Sequence, residues 1–153
     1  MTRIPPAALL LGLAGLIPFF WAALLVLELF PGLTLTEHLP APLTGDGRLI
    51  MVRYGGIILP FMAGVLWGFA TRAETPMMTT AAFTLSVLPA LWWFFMPGTG
   101  VISALTNLAT GFIGVLLLDY AFHRWGLTPR WWIALRVQLT TVVLICLAIG
   151  IFF

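Results

Sequence analysis

Five long apolar runs follow one another along this chain with almost no charge inside them, while the arginines and acids gather at their ends. A helix needs about 20 residues, at roughly 1.5 Å each, to cross the hydrocarbon of a bilayer. Lipid offers no partner to backbone N–H and C=O groups, so continuous rather than alternating apolar runs of this length read as helices. The runs at 5–30, 49–71, 76–96, 101–121 and 131–153 predict an all-α, polytopic membrane helix bundle with five transmembrane helices, one membrane domain over 1–153. Composition agrees: 61% of residues are hydrophobic and 8% charged, where a soluble domain carries roughly a quarter charged residues. The mean hydropathy is +1.10.

The same distribution excludes several classes. Seven arginines, no lysine and five acids are scattered through connections, so there is no basic patch for nucleic acid. The lone Cys146 sits in the last apolar run and allows no disulfide within the chain. Arg3 followed by apolar residues has the outline of a secretory signal. The run to Phe30 is too long for a cleaved apolar core of about 7 to 15 residues, so an uncleaved first span is expected.

Between the runs the punctuation is consistent. Leu29-Phe30-Pro31-Gly32 ends the first, and the long connection to Arg48 holds Pro31, Pro40, Pro42, Gly45, Asp46 and Gly47. Thr75-Pro76 has the form of a helix N-cap and first-turn proline after a short turn around Arg72 and Glu74. Pro97-Gly98-Thr99-Gly100 forces another hairpin, and His123 to Arg130 makes the last connection. Arg3, Arg72, Arg124, Arg130 and Arg136 fall on the N-terminal side and Arg48 and Arg53 on the other. The excess of arginine on cytoplasmic loops then places the N-terminus in the cytoplasm and the C-terminus outside. Trp125, Trp131 and Trp132 are expected in one aromatic belt, and Trp92 and Trp93 in the other.

Candidate functional positions are few. Gly56, Pro60, Gly64 and Gly68 share one helix face at a spacing of four and predict a helix-packing surface, with Ala14, Pro18 and Ala22 as a comparable groove in the first span. Ionisable groups in membrane spans are costly and need partners. Glu28 and Arg53, with Tyr54, fall at one level and Asp119 and Arg136 at the other, which makes two candidate ion pairs or ligand contacts at the rims. Ser86, Asn107, Thr110 and Thr141 are expected to bond between helices near the middle. His38 and His123 lie in different connections, so no metal site is expected, and no motif calls for a cofactor.

Tyr54-Gly55-Gly56-Ile57-Ile58-Leu59-Pro60-Phe61-Met62-Ala63-Gly64-Val65-Leu66-Trp67-Gly68 resembles the signature of a family of uncharacterised bacterial membrane proteins related to the mitochondrial transmembrane protein 69. Leu116-Leu117-Leu118-Asp119, Gly126-Leu127-Thr128-Pro129, Leu135-Arg136 and Leu139-Thr140 resemble its second block. This chain has Pro60 where members show Ser and Ala63 where they show Gly, so no role of that hydroxyl transfers. The resemblance implies a small multi-pass protein of the bacterial inner membrane and assigns no activity.

A bundle with so little mass outside the bilayer is expected to be a non-catalytic accessory or assembly subunit of a larger membrane complex. Its expected partners are the lipid bilayer and a membrane protein or further copies of itself. A small oligomeric transporter or channel, using helices broken at Pro18, Pro60 and Pro89, is one alternative. An intramembrane quinone- or lipid-binding protein or enzyme is the other, and it requires the rim side chains to meet around a cleft.

Overall fold

Pro18 divides the first apolar run. In the computed structural model, which describes residues 3–29 and 40–153, α1 (Pro6–Ala14) and α2 (Ile17–Val26) are separate helices. A proline has no N–H to give the carbonyl four residues back, so the ladder tightens at Leu16 N to Leu13 O, 3.0 Å, and resumes at Phe20 N to Leu16 O, 3.0 Å. Together α1 and α2 still have the length and apolarity of one span, but the expected single rod is broken in two at residues 15–16. Phe30, Pro31, Gly32, Glu37 and His38, on which the expected end of that span and the outer histidine fell, lie outside the described residues.

The remaining spans follow their sequence signals. After a 3-10 turn at Ala41–Leu43, α3 covers Gly47–Ala70 and starts at Asp46, whose carboxylate accepts from Arg48 N at 2.8 Å. Helix α4 covers Pro76–Phe95, and the Thr75 hydroxyl accepts from Met78 N at 3.3 Å as the Thr75-Pro76 pair predicts. Helix α5 runs from Val101 past the expected end at 121 to Arg124, and α6 covers Trp132–Phe152. All five spans are long and apolar enough to cross a membrane. Pro60 and Pro89 sit inside uninterrupted helices, so of the three prolines expected to break helix regularity only Pro18 does so.

Helices α3 and α5 pack on each other at the centre, α4 lies against both, and α2 and α6 close the opposite side. In a bilayer no hydrophobic driving force separates helix from lipid, so close backbone approach and hydrogen bonds hold such a bundle together. Gly47 lies so close to α2 that a Cβ there would run into Ala22 O, and one on Gly111 would meet Leu59 Cδ2 at 2.6 Å. Phe19 anchors the α2 side, edge-on to Tyr54 at 5.2 Å and to Phe112 at 6.1 Å.

Arginines tie the helix ends. Arg72 Nη1 donates to Leu127 O at 3.3 Å, joining the end of α3 to the α5–α6 connection. At the opposite end Arg48 Nε donates to Gly150 O at 2.9 Å, placing a cation on the last carbonyls of α6, where the helix dipole favours it.

Candidate functional site

The α5–α6 hairpin brings Asp119, Trp132 and Arg136 together. The turn that makes this possible uses Gly126 at φ 75°, with Leu127 N bonding back to Phe122 O at 3.0 Å. Arg136 Nε donates to Asp119 Oδ2 at 2.7 Å, and Trp132 Nε1 donates to Asp119 Oδ1 at 2.7 Å. Asp119 is fully buried and Arg136 is 5% exposed. Both carboxylate oxygens are thus engaged, and the formal charges of the pair cancel. The rim pair expected from sequence forms, and Trp132 serves it as a hydrogen-bond donor as well as lying near the helix end.

This cluster borders a cavity of about 430 Å³ between α1, α2, α3, α5 and α6. Arg136 and Thr140 lie on its wall, one helical turn apart on the same face of α6. The rest of the wall is apolar, with Leu16, Phe19, Met62, Phe112 and Val143 in its deeper part. Helix α1, on the N-terminal side of the break at Pro18, forms the loosest part of this wall: it buries none of its residues and meets α6 where Gly12 faces Leu139.

Two polar atoms there have no hydrogen-bond partner among the described residues: Arg136 Nη2 and Thr140 Oγ1. Thr140 is 1% exposed. Leaving a buried polar group unsatisfied costs about 1–3 kcal/mol, and hydrocarbon offers no relief. Thr79, Thr80, Thr106, Thr110 and Thr141 all turn their hydroxyls back onto carbonyls of their own chain. Thr140 is the departure from that pattern.

The other expected positions separate. Glu28 and Arg53 are exposed and form no salt bridge with each other. Glu28 instead adopts φ 49° just past α2, with Leu29 N bonding back to Leu24 O at 3.4 Å, a left-handed helix stop. Tyr54 does not join Arg53 at the rim; its hydroxyl donates to Gly15 O at 3.0 Å and satisfies a carbonyl at the α1–α2 break.

The expected glycine face also divides. Gly56 lies against the Trp93 indole, whereas Gly64 and Gly68 have nothing among the described residues within 4 Å of where a Cβ would be and are exposed. The interior is served by the face one residue round the helix, through Gly55, Leu59 and Met62. Of the polar groups expected to bond between helices, only Asn107 does: its Nδ2 donates to Met96 O at 3.1 Å, while its main-chain carbonyl accepts from Trp92 Nε1 at 2.9 Å. Ser86, Thr110 and Thr141 bond within their own helices.

His123 Nδ1 lies 3.0 Å from Thr128 Oγ1. Among the described residues no three His, Cys, Asp or Glu side chains come together as metal ligands. Sequence reasoning missed Thr140 and the role of Trp132; the i, i+4 spacing of Arg136 and Thr140 is the signal that pairs a threonine with the arginine on one face.

The chain matches known proteins over nearly its whole length. The family model described as "Protein of unknown function (DUF3429)" matches residues 4–152. "Transmembrane protein 69" of Xenopus tropicalis is 33% identical over 146 residues, covering 94% of this chain and 53% of the relative. The chain therefore spans about half the length of that relative. No solved structure matches.

Proposed function

From the premise that the chain belongs to the DUF3429 family and folds as a multi-pass membrane helix bundle, we propose that it is a non-catalytic binding protein which holds one amphiphilic, membrane-soluble molecule inside the bundle. One observation carries this reading: Arg136 and Thr140, which line an otherwise apolar cavity, each hold a buried polar atom with no partner among the described residues. The volume falls within the roughly 300–1,000 Å³ of small-molecule pockets, which pair apolar walls with a few polar groups. Asp119 has both oxygens committed to Trp132 and Arg136, which supports a binding role over acid–base chemistry.

Mass spectrometry of the protein released intact from mild detergent tests the reading. A stoichiometric bound lipophile is expected, and it is lost when the cavity is filled from its wall by Ala8→Phe or Met62→Trp. A protein of bare mass that binds no added amphiphile overturns it.

A second reading, the accessory or assembly subunit of a larger membrane complex, is favoured by Gly64 and Gly68. If these small residues serve helix packing, their partner is another chain, since nothing among the described residues of this one covers them. Gly64→Leu with Gly68→Leu then leaves the monomer folded and abolishes copurification of a partner or self-association; unchanged copurification removes this reading. The arginine bias supports a cytoplasmic N-terminus, with the bacterial inner membrane as the location the resemblance implies, and an alkaline phosphatase fusion at the C-terminus, active only if that end is outside, checks the orientation.

A further inference from the structure

The binding reading above leaves open what chemistry the cavity takes, and the charge balance of its wall answers this. Resting on that reading, we propose that the head group held at Arg136 and Thr140 is uncharged and offers a carbonyl-type hydrogen-bond acceptor, as on a quinone ring or the ester of a neutral glycerolipid.

Arg136 supplies only donors, so whatever satisfies Nη2 must accept. A carboxylate or phosphate would also accept, but the positive charge it needs is already neutralised by Asp119 at 2.7 Å. Among the described residues lining the cavity, Arg136 is the one that bears a charge, and the remainder contribute aliphatic, aromatic, thioether, glycine or hydroxyl groups. Burying an anion there would add an uncompensated charge to an apolar wall, which is far more costly than burying a neutral carbonyl that receives two hydrogen bonds. A plain alkane fails in the opposite sense, since it leaves Arg136 Nη2 and Thr140 Oγ1 as they are.

The placement of the two groups gives the ligand a direction. Arg136 lies four residues into α6 and Thr140 one turn deeper, at about 6 and 12 Å along the helix from its start. Val143, Phe112, Met62 and Phe19 continue the wall toward the middle of the bundle. A head near the helix end and a tail pointing inward match an amphiphile entering from the leaflet on the α6 N-terminal side. Helix α1, with no buried residue, is the wall element that can yield to admit it.

Four short-chain probes of similar length distinguish the possibilities when titrated onto the purified protein and followed by intact-mass spectrometry: decylubiquinone, dioctanoylglycerol, decanoate at pH 8, and decane. Retention of decylubiquinone or dioctanoylglycerol is expected, with decanoate and decane at least about tenfold weaker, and whichever of the first two binds more tightly identifies the source. Thr140→Val, nearly isosteric, is expected to weaken the favoured probe by about five- to tenfold while Thr140→Ser restores it. Decanoate or decane binding as tightly as the carbonyl probes, or affinity indifferent to Thr140→Val, overturns the head-group assignment. If those probes still compete with one another and are excluded by Ala8→Phe, the binding reading survives that result. If no probe binds, both fall.

Discussion

Arg136 Nε meets Asp119 Oδ2 at 2.7 Å across the α5–α6 hairpin, and neither side chain has an appreciable outlet from the bundle. Each ion is tolerable there only because of the other. Removing Asp119 alone leaves a buried guanidinium with no counter-charge, and losses of this kind run to about 3–5 kcal/mol. Asp119→Leu or Arg136→Met singly is therefore expected to destabilise by several kcal/mol, and Asp119→Leu with Arg136→Met together by less than either. Unfolding in mixed micelles, arranged as a double-mutant cycle, measures the coupling. Additive losses would remove the pair from the account of the hairpin.

Tyr54 joins two features that lie 39 residues apart, the first third of α3 and the break in the first span. The break frees the Gly15 carbonyl, and the Tyr54 hydroxyl takes it. Tyr54→Phe is expected to cost about 0.6–1.7 kcal/mol, the range for hydrogen bonds between membrane helices. Its local signature is faster amide exchange over residues 6–16, measured by hydrogen exchange with mass spectrometry. In a Pro18→Ala background, where an unbroken helix can use that carbonyl, the same change is expected to cost less.

The five spans, the Thr75-Pro76 start of α4 and the Asp119–Arg136 pair were legible in the sequence because each rests on a local rule: span length, capping chemistry, or the cost of a lone charge in lipid. The site was legible in part. That Glu28 and Arg53 share a level did not make them neighbours, since level along the membrane says nothing about which side of the bundle a residue faces. The glycine stripe was legible in part: Gly56 packs on Trp93 as that face predicts, but Gly64 and Gly68 meet none of the described residues, because Gly55 heads an adjacent face and the packing of Phe19 and Leu108 turns that one inward. Thr140 was hidden because most membrane threonines bond back to their own helix. Its difference appears only when the neighbouring helices and the break before Pro18 are in place.

The glycines of α3 divide into two groups with opposite expected responses. Gly47→Ala puts a methyl group into the Ala22 carbonyl, a backbone atom that cannot swing aside, so a clear loss of stability is expected. Gly68→Ala meets nothing within 4 Å and replaces a poor helix former by the best, so it is expected to be neutral or stabilising by up to about 1 kcal/mol. Thermal unfolding of the monomer in detergent compares them, and a penalty for Gly68→Ala in that state would show a contact within the chain.

Glu28 offers the reverse case, a side chain where glycine would be easier. At φ 49° the Cβ crowds the following carbonyl, which costs roughly 1–2 kcal/mol for a residue other than glycine. The position closes α2 through Leu29 N and Leu24 O, a geometry that glycine adopts without penalty. Because Glu28 is exposed and makes no salt bridge with Arg53, nothing on its side chain among the described residues offsets that strain. Glu28→Gly is therefore expected to raise the unfolding free energy by about 1 kcal/mol, and Glu28→Val to lower it, since a β-branched residue is the least suited to this conformation. The pair also separates conformation from charge. If Glu28→Gln destabilises as much as Glu28→Val, the carboxylate has an electrostatic role that the helix stop does not explain.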